Sequence, residues 1–68
     1  MVEIFGKDSC PYTQAARDDY AGRGVAVTYR NVKKDPASLT KMLELTRGRR
    51  DVPVIVEDGK VTIGFGGT

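Results

Sequence analysis

A single cysteine, Cys10, stands in Lys7-Asp8-Ser9-Cys10-Pro11-Tyr12-Thr13, after an apolar run and before a helix-favouring stretch. Proline is tolerated at the first helical position, where its missing N–H would have no partner anyway. With Pro11 there, Cys10 becomes the N-cap and its sulfur lies among the unpaired backbone donors of the first turn. Those donors, the positive end of the helix dipole and Lys7 three residues upstream all favour thiolate over thiol, and the thiolate is the nucleophile. The competing reading is a buried structural cysteine, since free cysteines are often core residues. It leaves Lys7, Pro11 and the loop-to-helix junction without a purpose.

Such a thiol needs a scaffold, and 68 residues supply one domain, 1–68, near the lower limit for a self-sufficient core. One cysteine cannot form an internal disulfide and there is no histidine, so no metal is expected and neither kind of staple supports the fold. That pattern suits a reducing, cytoplasmic setting. No signal peptide and no apolar run long enough for a membrane span is present, so no membrane role is expected. The net charge of +2 comes from eleven basic and nine acidic residues mixed along the chain. The local basic cluster Arg47, Arg49 and Arg50 has few aromatics near it to stack on bases, which argues against nucleic acid as partner.

Six elements can carry the cysteine. Val2 to Phe5 reads as a strand ended by Gly6, and Pro11 to about Arg23 as a helix closed by Gly22 and Gly24, with Thr13, Ala16 and Tyr20 on its one thin apolar face. Val25 to Val32 is β-branched and alternating, hence a second strand. Asp35 caps a second helix with Pro36 first; Leu39, Met42, Leu43 and Thr46 follow at helical spacing, and Gly48 stops it. Val52 to Val56 and Val61 to Ile63 flank Asp58-Gly59, the signal for a type I′ hairpin, so the last two strands are antiparallel neighbours. The first strand-helix-strand unit implies a right-handed crossover and parallel pairing.

Taken together, Lys7 to Thr13, Gly48-Arg49-Arg50-Asp51-Val52-Pro53 and Gly66-Gly67 resemble the three signatures of the glutaredoxin family, over nearly the whole chain. The resemblance implies an α/β, thioredoxin-like fold: a four-stranded mixed sheet in spatial order two, one, three, four, with two helices and without the family's usual C-terminal helix. It also implies a cis peptide between Val52 and Pro53. On the same grounds Cys10 is the nucleophile, supported by Pro11, Tyr12 and Thr13, and glutathione is the co-substrate. Lys7 with Arg49 or Arg50 would hold the glycine carboxylate, Tyr12 would wall the groove, and Val52 before Pro53 would pair its backbone with the cysteine portion. Gly66, Gly67 and Thr68 would meet the γ-glutamyl end. Partners would be glutathionylated proteins or small disulfides, with the protein a monomer or weak homodimer.

The sequence also departs from the family pattern. Thr13 stands where dithiol members have a second cysteine, so the mechanism must be monothiol, with a second thiol resolving the mixed disulfide. Asp51 replaces the threonine common before Val-Pro and brings a negative charge near an anionic ligand. The alternative function within the family is a [2Fe-2S] carrier, a dimer in which two Cys10 thiolates and two glutathiones hold the cluster; members of that kind typically show Cys-Gly-Phe-Ser, not Cys-Pro-Tyr-Thr. Because the sequence given ends at Thr68, apolar surface is expected to stay exposed on the face of the first helix. Either a partner chain covers it or the natural product is longer. The end resembles the short bacterial glutaredoxin-like proteins of the type called UXX-star, which implies a selenocysteine codon near this point and a second chalcogen within reach of Cys10.

Overall fold

The apolar N-terminal run becomes β1 (Val2–Gly6), and the later elements pair with it or pack on it. The computed structural model describes residues 1–66; Gly67 and Thr68, with the roles inferred for them, lie outside the described residues. After β1 come α1 (Pro11–Gly22), β2 (Val27–Asn31), α2 (Pro36–Thr46), β3 (Val54–Glu57) and β4 (Lys60–Ile63). The strands form one sheet in the order β2-β1-β3-β4. β1 and β2 are parallel, while β3 runs antiparallel to both β1 and β4. This is the thioredoxin-like arrangement.

Local chemistry explains the element ends. Both helices begin with proline behind an extended N-cap residue, Cys10 and Asp35. The Asp35 carboxylate accepts from the Ala37 N–H at 3.2 Å and the Ser38 hydroxyl at 2.6 Å, which removes one orphan donor and buries Ser38. At its other end α2 unwinds through left-handed Arg47 and Gly48, and the Gly48 N–H returns to the Leu43 carbonyl at 2.8 Å. Asp58 and Gly59 both have positive φ, as a type I′ turn requires. Two strands start later than the sequence suggests. Val25 gives its N–H to the Tyr20 carbonyl at 3.0 Å, tying it to the end of α1, and β2 begins only at Val27. β3 begins at Val54, beyond the cis Val52–Pro53 bond, since Pro53 has no N–H for the ladder.

The alternation of β1 divides the core in two. Val2 and Ile4 join Ala16, Tyr20 and Ile55 under α1, whereas Phe5 joins Val32, Met42 and Val54 under α2. The expectation of exposed apolar surface on the α1 face is corrected here. Among the described residues the large hydrophobics left exposed are Met1 and Tyr12, and neither belongs to that cluster. Phe65 packs against it, and beyond it the strands turn Glu57, Lys60 and Thr62 toward an open cleft of ≈ 680 Å³ on this side. β4 sends its apolar pair, Val61 and Ile63, to the α2 face instead.

Candidate functional site

Cys10 sits where β1 hands over to α1. Its N–H donates to the Lys7 carbonyl at 3.1 Å, closing the loop, and its own carbonyl accepts from the Gln14 N–H at 3.2 Å, opening the helix. The side chain is 9 % exposed and makes no capping hydrogen bond. Its thiol points at the Val52 carbonyl, 4.0 Å from the sulfur. Burial pushes the thiol pKa up, but the Thr13 hydroxyl, the N–H groups of Thr13 and Tyr12 and the charge of Lys7 outweigh it, and the net value lies below that of an ordinary thiol. These are the second and third residues of the helix, so the orphan donors of the first turn are the ones that favour the thiolate.

Thr13 is almost wholly buried, yet its Oγ1 makes no hydrogen bond of normal geometry among the described residues. A buried hydroxyl without a partner carries a free-energy cost. While Cys10 is protonated nothing relieves it; once the thiolate forms, the hydroxyl has a strong acceptor to turn to. Gly6 makes the position possible, because a Cβ there would stand 2.5 Å from Thr13 Oγ1 and closer still to its methyl group. The end of β1 and the first turn of α1 therefore touch at the level of backbone and side chain.

On the α2 side a groove of ≈ 330 Å³ is lined by Lys7, Val32, Lys33, Leu39, Met42, Arg50 and Val52. It lies next to the sulfur through Val52, whose carbonyl faces Cys10. Lys7, Arg50 and Val52 are thus brought together on one groove. Arg49 is not with them. Its Nε is 2.8 Å from Asp51 Oδ2, so the unusual aspartate is neutralised by the neighbouring arginine, and the two line a smaller recess of ≈ 130 Å³ with Val52, Ile63 and Gly64. Tyr12 is exposed beside Cys10. Gly66 lines the α1-side cleft, away from Lys7; the glycine set beside Val52 is Gly64, whose N–H donates to the Pro53 carbonyl at 2.7 Å.

Two features escaped the sequence reading. Lys33 joins Lys7 because Gly6 and Asn31 are partners in the parallel pairing of β1 and β2, so the residues just after each strand emerge side by side. The Asn31 carboxamide oxygen accepts from the N–H groups of Lys33 and Lys34 at 3.0 and 3.2 Å and shapes that turn. The register, derivable from the crossover, was the available signal. The second feature is a clasp on the Cys10 loop: the Tyr29 hydroxyl donates to Asp8 Oδ1 at 2.9 Å, Lys34 pairs with the same carboxylate at 3.6 Å, and the Arg17 guanidinium lies 3.9 Å above the Tyr29 ring. Burial together with the Asp8 carboxylate pushes the Tyr29 phenol up to about 12, while the Tyr29 hydrogen bond holds Asp8 below its ordinary value.

A parallel β1-α1-β2 unit, a second helix and an antiparallel β3-β4 hairpin, with a cysteine at the N-terminus of α1, define the thioredoxin-like class. Within it the family model described as Glutaredoxin matches residues 2–62, and the chain belongs to that family. Comparison with curated protein sequences gives no match. Among solved structures the thioredoxin-like protein BC3987 is similar at 27 % identity and a TM-score of 0.88, over 97 % of this chain and 89 % of that one. The glutaredoxin-like protein NrdH-redoxin from Escherichia coli superposes with a TM-score of 0.81 at 22 % identity, over 96 % of this chain and 83 % of its own. A glutaredoxin from Archaeoglobus fulgidus gives 0.76 at 23 % identity, over 96 % and 75 %. The last two likenesses are of fold.

Proposed function

We propose that this protein is a glutathione-dependent thiol–disulfide oxidoreductase of the cytosol that acts on mixed disulfides through Cys10 alone. The observation that carries the reading is the pairing of a thiolate-favouring helix N-terminus at Cys10 with Thr13, not cysteine, one turn later. The Cys10 thiolate attacks the glutathione sulfur of a mixed disulfide; the new Cys10–glutathione disulfide forms as the substrate thiolate leaves. A second glutathione thiolate then attacks the glutathione sulfur of that intermediate, giving oxidised glutathione and restoring Cys10. Over the two exchanges the free glutathione thiol is oxidised into the disulfide while the substrate sulfur is reduced to a thiol, and no second protein thiol is needed.

In this reading Lys7 and Arg50 hold the glycine carboxylate, Val52 pairs its backbone with the cysteine portion and Tyr12 forms the outer wall. Arg49, occupied by Asp51, contributes less than the family pattern would assign it. Gly64 stands beside Val52, and the γ-glutamyl end would extend past it toward Gly66. The test is turnover of a small glutathione mixed disulfide with free glutathione and a coupled reductase. Wild type should turn it over, and Cys10→Ser should match the uncatalysed rate with unchanged circular dichroism. Full turnover by Cys10→Ser, or none by wild type, would end the reading.

A further inference from the structure

We propose that the groove beside Cys10 prefers thiols whose tail ends in two carboxylates over glutathione with one, and that Lys33 is the residue that reads the second. The inference rests on the proposal above that a glutathione-type thiol lies along Val52, and it deepens that proposal to a substrate class.

Most cations of this chain are committed to a carboxylate or a ring: Arg23 to Asp19, Arg30 and Lys41 to Glu3, Lys34 to Asp8, Arg49 to Asp51, and Arg17 to the Tyr29 ring. Lys7, Lys33, Arg47, Arg50 and Lys60 have no such partner among the described residues, and Lys7, Lys33 and Arg50 line the same groove. The neighbouring carboxylates are engaged elsewhere. Asp8 is held by Tyr29 and Lys34, Asp51 by Arg49, and Asp35 by the first turn of α2. Three uncompensated cations around an aliphatic floor of Val32, Leu39, Met42 and Val52 make a receptor with more positive charge than one glycine carboxylate neutralises.

Position separates the roles. Lys7 is three residues from Cys10, and Arg50 is two from the Val52 carbonyl that faces the sulfur. Lys33 comes from the neighbouring strand end, on a turn preset by the Asn31 carboxamide. It lines the groove from a strand end other than that of Lys7 and Cys10, and so it is the cation left to meet a second carboxylate of the tail. The leaving thiol of a protein substrate departs on the other side of the disulfide from the tail, so Lys33 does not meet it.

The experiment is a titration of wild-type protein, followed by amide NMR shifts, with two unreactive probes: S-methylglutathione and S-methyl-γ-glutamylcysteinylaspartate. The aspartyl tripeptide should bind about two- to fivefold more tightly at low salt, the range of one solvent-facing ion pair, and the preference should shrink as salt is raised. Lys33→Gln should bring the ratio to one, Lys33→Arg should restore it, and Lys60→Gln, on the opposite face, should keep it. Equal affinities in wild type, a ratio unmoved by Lys33→Gln, or no saturable binding of either probe would overturn the inference. Preference without turnover of glutathione mixed disulfides would strike only the catalytic step proposed above, whereas turnover without preference would strike only this inference.

Discussion

The two faces of the sheet are held by different physics. Under α2, Phe5, Val32, Met42 and Val54 are buried, and Leu39, Leu43, Leu45, Val56, Val61 and Ile63 pack around them. Under α1, Val2, Ile4, Ala16, Tyr20 and Ile55 are buried with Val25, Val27, Tyr29 and Phe65 around them, and to this packing the face adds polar contacts made by its tyrosines. The Tyr20 hydroxyl donates to Glu57 at 3.0 Å with Arg23 4.4 Å over its ring, and Tyr29 is held by Asp8 and Arg17. Apolar burial is insensitive to protonation; these contacts are not. The helix that presents Cys10 is therefore the one whose seating depends on charge, while the α2 face provides the steady platform and the floor of the anion groove.

The largest effects expected come from removing the packing of one face and the hydrogen bond of the other. Phe5→Ala should cost about 3–5 kcal/mol, a large share of the whole stability of a domain this small, which should scale as roughly 0.05–0.15 kcal/mol per residue. Tyr20→Phe, which keeps the ring and loses the hydrogen bond to Glu57, should cost about 1 kcal/mol. Urea denaturation measures both. Equal losses, or a larger one for Tyr20→Phe, would mean that the α1 face is no less dependent on its polar contacts than the other is on its packing.

Next in size is Gly6→Ala, at the point where the two regions meet. The new methyl would be driven against Thr13 Oγ1 and its methyl group, and an overpacked site of this kind costs about 1–3 kcal/mol. Because the strain falls on the first turn of α1, Cys10 alkylation should slow as well. A variant as stable and as reactive as wild type would show that the contact between β1 and α1 has room to relax.

Thr13→Val tests the same contact from the other side. It removes a buried hydroxyl that has no partner while Cys10 is protonated, so at acid pH the variant should be more stable than wild type by about 1 kcal/mol. The same change removes a donor to the thiolate, so the Cys10 pKa should rise and alkylation at neutral pH should slow. In wild type the depressed thiol pKa means that the unfolded chain binds the proton more tightly. Stability should therefore grow as pH rises from the folded pKa toward the unfolded one and fall away as pH drops, and Thr13→Val should flatten that slope. A variant with wild-type alkylation kinetics would remove Thr13 from the support of Cys10.

How much of this could be read in advance follows the same division. Elements announced by local chemistry were legible: Pro11 behind Cys10, the Asp35 cap, the Asp58-Gly59 turn, and the apolar spacing of Leu39, Met42 and Leu43. The α1 face was misjudged, because the expectation of exposed apolar surface followed from the missing end of the chain and ignored Phe65 packing back on this face and the polar alternation of Lys60 and Thr62 on β4. The groove beside Cys10 was legible where its lining is contiguous in sequence, at Lys7 to Thr13 and at Arg50 to Pro53. Lys33, Gly64 and the Asp8–Tyr29 clasp were not, since each becomes a neighbour of the site only through strand register or a loop crossing. Gly66 comes from the likeness of a glycine pair to the family motif, whereas the place of Gly64 beside Val52 depends on its hydrogen bond to Pro53.

The smallest expected effect belongs to the clasp and shows whether charge seats the Cys10 loop. Tyr29 has a phenol pKa raised from its ordinary 10.0 to about 12, so its folded-state advantage is complete below pH about 10 and is lost as pH rises through the interval toward about 12. Tyr20 is shifted upward too, by burial first and then by Glu57, and adds a contribution of the same sign. Tyr29→Phe should cost about 0.5 kcal/mol or less at neutral pH, where an exposed hydrogen bond is weak. Its loss of stability above pH 10 should be shallower than that of wild type, without vanishing, because Tyr20 still titrates. Cys10 alkylation at neutral pH should change little in magnitude, while the loop from Lys7 to Cys10 should exchange its amide hydrogens faster, since its tie to β2 is gone. Melting temperatures across the alkaline range and hydrogen exchange measure the two consequences. An alkaline slope identical to wild type, together with unchanged exchange at Asp8 and Ser9, would show that the loop is seated by its own backbone bonds and that the charged closure of the α1 face ends at Tyr20.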